Sequence, residues 1–181
     1  TLLINTKLND YEGRGAVYFK DLNQQLALLG EKAIFSDTKH SAYVTGSSLG
    51  FLKYQEDTLY FHADTLYLER DTLNRSKYLS ANKNFRFLHP DLQGIADSTR
   101  FSFDEQVLKM SYHPILWAQT GELKGEVAEV YFKDSIMEYV ELNQNATVLL
   151  ALPTDSLFNQ MAAAKIVALF DTTGKLNSVT A

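Results

Sequence analysis

Short runs of alternating apolar and polar residues fill most of this chain, each ended by a polar turn about every 8–12 residues. That spacing predicts strands. The runs also recur as a longer unit. Gly30-Glu31-Lys32-Ala33-Ile34-Phe35 is echoed by Ala63-Asp64-Thr65-Leu66-Tyr67-Leu68, by Ala96-Asp97-Ser98-Thr99-Arg100-Phe101 and by Ala128-Glu129-Val130-Tyr131-Phe132, with a fainter copy at Ala163-Ala164-Lys165-Ile166-Val167. Units therefore start near residues 30, 63, 96, 128 and 163, a period close to 33 residues.

Each unit opens on a small residue, usually followed by an acid and then a strand. Polar turns follow at Asp37-Thr38-Lys39, Arg70-Asp71-Thr72, Asp104-Glu105-Gln106, Lys133-Asp134-Ser135 and Asp171-Thr172-Thr173-Gly174. A second strand returns, is broken at Gly46, Asn82, His113 and Asn143, and resumes as Leu49-Gly50-Phe51-Leu52, Phe85-Arg86-Phe87-Leu88, Ile115-Leu116-Trp117 and Thr147-Val148-Leu149-Leu150. Helical repeats of similar length carry Trp-Leu-Gly or Thr-Pro-Leu-His signatures, which are absent. The unit is a strand pair.

Ala162-Ala163-Ala164-Lys165 favours helix by intrinsic propensity. Its place in the repeat predicts a strand, and position in a repeat is the stronger constraint. Alternation along the first strands then assigns faces. One carries Ala33, Phe35, Leu66, Leu68, Thr99, Phe101, Tyr131, Ile166 and Ala168, a continuous apolar stripe; the other carries Ile34, Tyr67, Arg100, Phe132 and Val167. Glu31, Asp64, Asp97 and Glu129 fall on the apolar side by strict counting, which places them at strand ends near water.

Composition narrows the class. Ten Tyr, 11 Phe and one Trp against 3 Pro favour strands and exclude a disordered tail, a collagen-like chain and a coiled coil. The 17 basic residues are scattered and the net charge is −5, so no basic face for nucleic acid is expected. No apolar run approaches the roughly 20 residues of a bilayer-spanning helix. Zero Cys removes disulfides, thiolate metal sites and Cys nucleophiles. The chain begins at Thr1 with no visible leader, as a trimmed mature form does.

Three local patterns imitate chemistry. Gly46-Ser47-Ser48-Leu49-Gly50 fits the nucleophile elbow of hydrolases, but that motif needs a strand-to-helix turn, and the repeat aligns this segment with a strand. A glycine-flanked bulge is expected instead. His62 and Asp64 could begin a metal site, yet no second His lies near in sequence. His89-Pro90-Asp91 reads as a turn. The sequons at Asn74 and Asn145 read as loop and turn asparagines. No cofactor, metal or catalytic residue is expected.

The segment Leu88-His89-Pro90-Asp91-Leu92-Gln93-Gly94, followed by Ala96-Asp97-Ser98 and His113-Pro114-Ile115-Leu116-Trp117, resembles the OstA-like family of lipopolysaccharide-transport proteins in its Bacteroidetes form. Ala63-Asp64 and Asn143-Gln144-Asn145-Ala146 extend the likeness over roughly residues 40 to 150. The resemblance implies an all-β, open antiparallel β-jellyroll, a taco-like solenoid of stacked strand pairs forming one domain over residues 1–181. It implies a non-enzymatic periplasmic protein that holds the acyl chains of lipid A in an apolar groove. It also implies partners: lipopolysaccharide, and other β-jellyroll proteins, or further copies, joined end to end through strand edges. The weak end units are what a piece of a longer array would show.

Lipid-contacting positions in that family follow the groove and not a motif. The candidates here are the residues expected to face inward: Phe35, Leu66, Leu68, Phe101 and Tyr131 from first strands, with Phe85, Phe87, Leu116 and Trp117 from second strands. The competing reading is an envelope scaffold of the same shape, its interior filled by these same side chains and holding no lipid.

Overall fold

The computed structural model describes residues 2–5, 10–21, 25–54, 57–118, 121–133, 136–151, 158–172 and 174–181. Asp134, Ser135 and Thr173, which two of the expected turns include, lie outside the described residues. Fourteen strands are present among the described residues: β1 (Leu2–Asn5), β2 (Asp10–Asp21), β3 (Leu26–Ser36), β4 (Ser41–Tyr54), β5 (Asp57–Arg70), β6 (Ser76–Leu88), β7 (Leu92–Ser102), β8 (Val107–Ser111), β9 (Ile115–Ala118), β10 (Gly121–Lys124), β11 (Val127–Lys133), β12 (Ile136–Ala151), β13 (Phe158–Phe170) and β14 (Leu176–Thr180). Neighbours pair antiparallel throughout. β8 and β9 both lie against β7, and β10 and β11 both lie against β12, so each of these pairs is one long strand interrupted midway. The Ala-rich segment is a strand after all: β13 makes eleven registered pairs with β12, and tertiary pairing overrides its helix propensity.

The interruptions are where the fold is made. Gly46 and Ser47, with φ of 86° and 49°, stand opposite the single residue Asp64. Lys83 and Asn84 stand opposite Asp97, and Gln144 and Asn145 opposite Ala164, all four with φ between 52° and 62°. Tyr112 and His113 repeat this between β8 and β9, with φ of 65° and 57°. Two residues opposing one is a β-bulge, which bends its strand. Because the bulges fall in register on alternate strands, the whole sheet folds along one line into two leaves.

The expected breaks at Asn82 and Asn143 sit immediately before these left-handed pairs, and those at Gly46 and His113 within them. The lower leaf holds residues such as Ala33, Leu66, Thr99, Val130 and Ile166; the upper leaf holds Leu28, Gly50, Phe61, Phe87, Leu116 and Val148. Phe19 and Phe35 show the closure. They lie on paired strands seven positions apart in register, about 24 Å in a flat sheet. Their ring centroids are 4.6 Å apart.

The corner line also places the acids. Glu31, Asp64, Asp97 and Glu126 occupy equivalent corner positions, outside the core. The Asn84 amide donates to both carboxylate oxygens of Asp64, at 3.1 and 3.2 Å, and Asn145 donates to Glu126 at 3.3 Å. His113 Nδ1 lies 2.9 Å from Glu126. Glu31 rests against Gly46, where any Cβ would come within 2.6 Å of its side chain. Glu126, and not Glu129, is therefore the acid of the fourth unit, which starts at Gly125 and not at Ala128.

Candidate functional site

The inner faces of the two leaves enclose one continuous apolar cluster. Leu28, Val44, Leu66, Leu68, Leu116, Leu123 and Val140 within it have no exposed surface. Around β6 and β7 it opens. A groove of about 280 Å³ lies between Leu52, Leu59, Phe61, Phe85, Phe87 and Leu92 of the upper leaf and Leu79, Ala81, Thr99, Phe101, Leu108, Phe132 and Met137 of the lower one. His89, Asp91, Ile136, Thr172 and Gly174 form its rim. Thr99 is the polar side chain inside it, and its hydroxyl donates to the Lys109 carbonyl at 2.7 Å. The groove wall therefore presents hydrocarbon with no polar demand left unmet.

Two glycines set its width. Gly50 pairs with Phe61 and Gly94 with Phe87 across neighbouring strands. A Cβ on Gly50 would lie 2.0 Å from the Phe61 ring, and one on Gly94 would lie 2.5 Å from the Phe87 ring. Each ring therefore lies down on bare backbone, and the space above it stays open. Phe101 closes the opposite wall, edge-on to Phe103 at 5.0 Å and to Phe132 at 6.2 Å.

The two leaves meet again beyond this space. Ser76 at one tip of the lower leaf donates to Asp21 at a tip of the upper leaf, at 2.6 Å. At the other end, Gly174 lies against Asp91, where a Cβ would come within 2.7 Å. The turn residues are equally occupied. Asp71 accepts from the amides of Leu73 and Arg75 at 2.8 and 2.9 Å, and the Arg75 bonds hold its carboxyl below the ordinary range.

Of the nine candidate contact residues, Phe85, Phe87 and Phe101 line the groove. Phe35 packs on Phe19 at the N-terminal end of the interior. Leu66, Leu68 and Leu116 are sealed in the packed zone. Trp117 and Tyr131 are corrections, for neither faces inward. Trp117 is 37% exposed on the outer side of the upper leaf and donates to Glu122 at 2.9 Å; it follows inward Leu116, and adjacent strand residues take opposite faces.

Tyr131 stacks on Tyr139 at 4.3 Å outside the lower leaf and donates to Glu129 at 3.0 Å. Burial, reinforced by Glu129, pushes its hydroxyl up to about 12. The Lys109 ammonium holds Glu129 below the usual carboxylate range. The cause of the error is the unit start. A slip of three residues is odd, so it exchanges the two faces and puts Tyr131 where Phe132 belongs.

The imitations of chemistry resolve locally. Ser48 is buried in the bulged strand and donates its hydroxyl to the Ala63 carbonyl at 2.7 Å. Among the described residues, no three His, Asp or Glu side chains gather as a metal site would need. The His89 turn is closed by its amide on the Leu92 carbonyl at 3.0 Å.

No family model matches the chain, and no curated protein matches it in sequence. Among solved structures, it is similar to that of LptH, the LptA homologous periplasmic component of the conserved lipopolysaccharide transport device from Pseudomonas aeruginosa. The TM-score is 0.58 at 11% identity, over 79% of this chain and 98% of that one. At that identity the likeness is one of fold. This chain has the open antiparallel β-jellyroll fold of LptH.

Proposed function

We propose that this protein is a non-enzymatic carrier of the OstA-like, lipopolysaccharide-transport kind, which shields acyl chains of lipid A in its groove on their way through the periplasm to the outer membrane. The observation that carries this reading is the groove, walled by aliphatic and aromatic side chains and kept open by phenylalanines lying on glycines. The shared fold with a periplasmic lipopolysaccharide-transport component supports the substrate class.

A methylene fills about the volume of a water, roughly 30 Å³, so 280 Å³ takes on the order of nine of them. Burying nine methylenes at about 0.8 kcal/mol each is worth about 7 kcal/mol before the cost of association. That suits a carrier, which must hold a lipid and also release it. Larger loads require the free edges of the leaves to part.

End-to-end contacts fit the same architecture. The upper leaf ends at β2 on one side and at the Phe158-to-Ala163 part of β13 on the other, each pairing on one side among the described residues. Such edges accept further strands, from another jellyroll protein or a second copy. A scaffold with a filled interior is the second reading, favoured by the sealed zone around Leu66, Leu68 and Leu116.

Native mass spectrometry with purified lipid A separates the two. A one-to-one complex that is lost on adding a competing long-chain fatty acid supports the carrier. Absence of any lipid adduct, with the fold intact by circular dichroism, supports the scaffold.

A further inference from the structure

The two leaves differ in how charge is arranged on their outer sides. The lower leaf carries four matched charge pairs beside exposed Tyr43 and Leu169: Lys32 with Glu12 at 3.4 Å, Arg100 with Glu69 at 3.2 Å, Lys109 with Glu129 at 2.7 Å and Lys165 with Glu141 at 2.9 Å. Among the described residues, the upper leaf carries none of this matching across its centre. Its outward positions run in register as Phe51, Tyr60, Leu88, Gln93 and Trp117, with Leu49, His62, Arg86, Ile95 and Ile115 in the adjacent row. Tyr60, Leu88, Ile95 and Trp117 are 45%, 51%, 40% and 37% exposed. They surround a shallow hollow that Arg86 and His62 also line.

Charge is segregated along with hydrophobicity. The chain is net −5, yet among the described residues the outward positions of this face carry Lys20, Lys53, Arg86 and Lys124 against a single acid, Glu122, which is engaged by Lys124 and Trp117. Lys20, Lys53 and Arg86 have no ion-pair partner among the described residues. The corner acids Asp64 and Asp97 bound the face at the bend. Aromatic rings with one wet end, exposed aliphatic side chains and unmatched cations on one surface are the combination that an anionic membrane interface takes up.

We propose that the outer face of the upper leaf docks onto an anionic lipid bilayer, with Tyr60, Leu88, Ile95 and Trp117 at the headgroup boundary and Arg86 among the lipid phosphates. This surface lies on the other side of the sheet from the groove, so docking and acyl-chain binding are separate events. The protein then works while held at a membrane, its groove still facing its own second leaf.

Trp117 is the sole tryptophan, so the face contains its own reporter. The experiment adds vesicles of phosphatidylcholine and phosphatidylglycerol, three parts to one, to the full chain, and follows co-sedimentation together with Trp emission. The expected result is binding with a blue shift and with quenching by bromine-labelled lipid. Pure phosphatidylcholine binds more weakly. Arg86→Glu, which reverses one charge at the surface, weakens binding to the anionic vesicles by roughly thirtyfold. Lys109→Glu, on the other leaf, leaves it unchanged.

Three results overturn the proposal. They are no co-sedimentation, co-sedimentation with Trp117 emission unmoved, and a blue shift that appears with protein concentration in the absence of lipid, which assigns the face to a second copy. None of them bears on whether the groove binds lipid A.

Discussion

Replacing Gly50 and Gly94 together by Ala tests what keeps the groove open. The new Cβ atoms would lie 2.0 and 2.5 Å from the rings of Phe61 and Phe87, and real contacts need about 3.5 Å. Both rings must therefore lift by roughly 1–1.5 Å, and backbone on the far side leaves them only the groove to move into. That consumes on the order of two methylene volumes of the 280 Å³ available. Two methylenes left in water cost about 1.6 kcal/mol, which is about a tenfold loss of affinity for a long acyl chain.

The double variant also loses about 1–3 kcal/mol of stability through overpacking. Displacement of a fluorescent fatty acid measures the first effect and thermal unfolding the second. Gly15→Ala separates them. Its added Cβ meets nothing within 4 Å, while its φ of 98° makes any side chain strained, so it lowers stability without touching the groove. Unchanged fatty-acid affinity in the Gly50/Gly94 variant, with the fold intact, would refute the idea that these rings define the ligand space.

Other consequences are open to measurement. Ser48→Ala removes a buried hydroxyl from the Ala63 carbonyl, so calorimetry should show a loss of about 1–2 kcal/mol with lipid affinity unaltered. Asn84→Val forces a β-branched residue to φ near 55° and also removes the bond to Asp64; it should cost about 1–2 kcal/mol by denaturant titration, and Asn84→Gly less. The carboxyls of Glu12, Asp71, Glu122 and Glu129 are all held low, mainly by hydrogen bonds from Arg14, Arg75, Lys124 and Lys109 in turn. Below their ordinary pKa the unfolded chain binds more protons than the folded one, so the melting temperature should hold above about pH 4.5 and fall as pH drops further. Glu129→Gln should flatten that fall.

The legible part of this fold was its period. Apolar alternation identified strands, and the breaks at Gly46, Asn82, His113 and Asn143 marked the bulges to within two residues, because a small or polar residue interrupts the alternation where the strand bends. Face assignment was as good as the unit start behind it. Four of the five first strands were oriented as observed, and only the fourth was reversed, through aligning Ala128 where Gly125 belongs.

The groove itself was not legible. Leu66 and Phe101 read alike in sequence, yet one is sealed and the other lines open space, a difference set by what the neighbouring strands and the opposite leaf place against each. Phe61 over Gly50 could have been found, because an aromatic residue facing a glycine across a hairpin is a recognisable pair once the register is known. The outer face of the upper leaf, with its exposed apolar side chains and unmatched cations, was likewise hidden until the cross-strand rows brought residues from five strands together.

The most direct test of lipid carriage places a photo-crosslinking phenylalanine analogue at Phe101 or Phe87, inside the groove, and at Tyr131 or Tyr43, outside the lower leaf, and irradiates each with lipopolysaccharide. The account predicts lipopolysaccharide adducts at the two inner positions and none above background at the outer two. Equal labelling at all four, or labelling only outside, would contradict it.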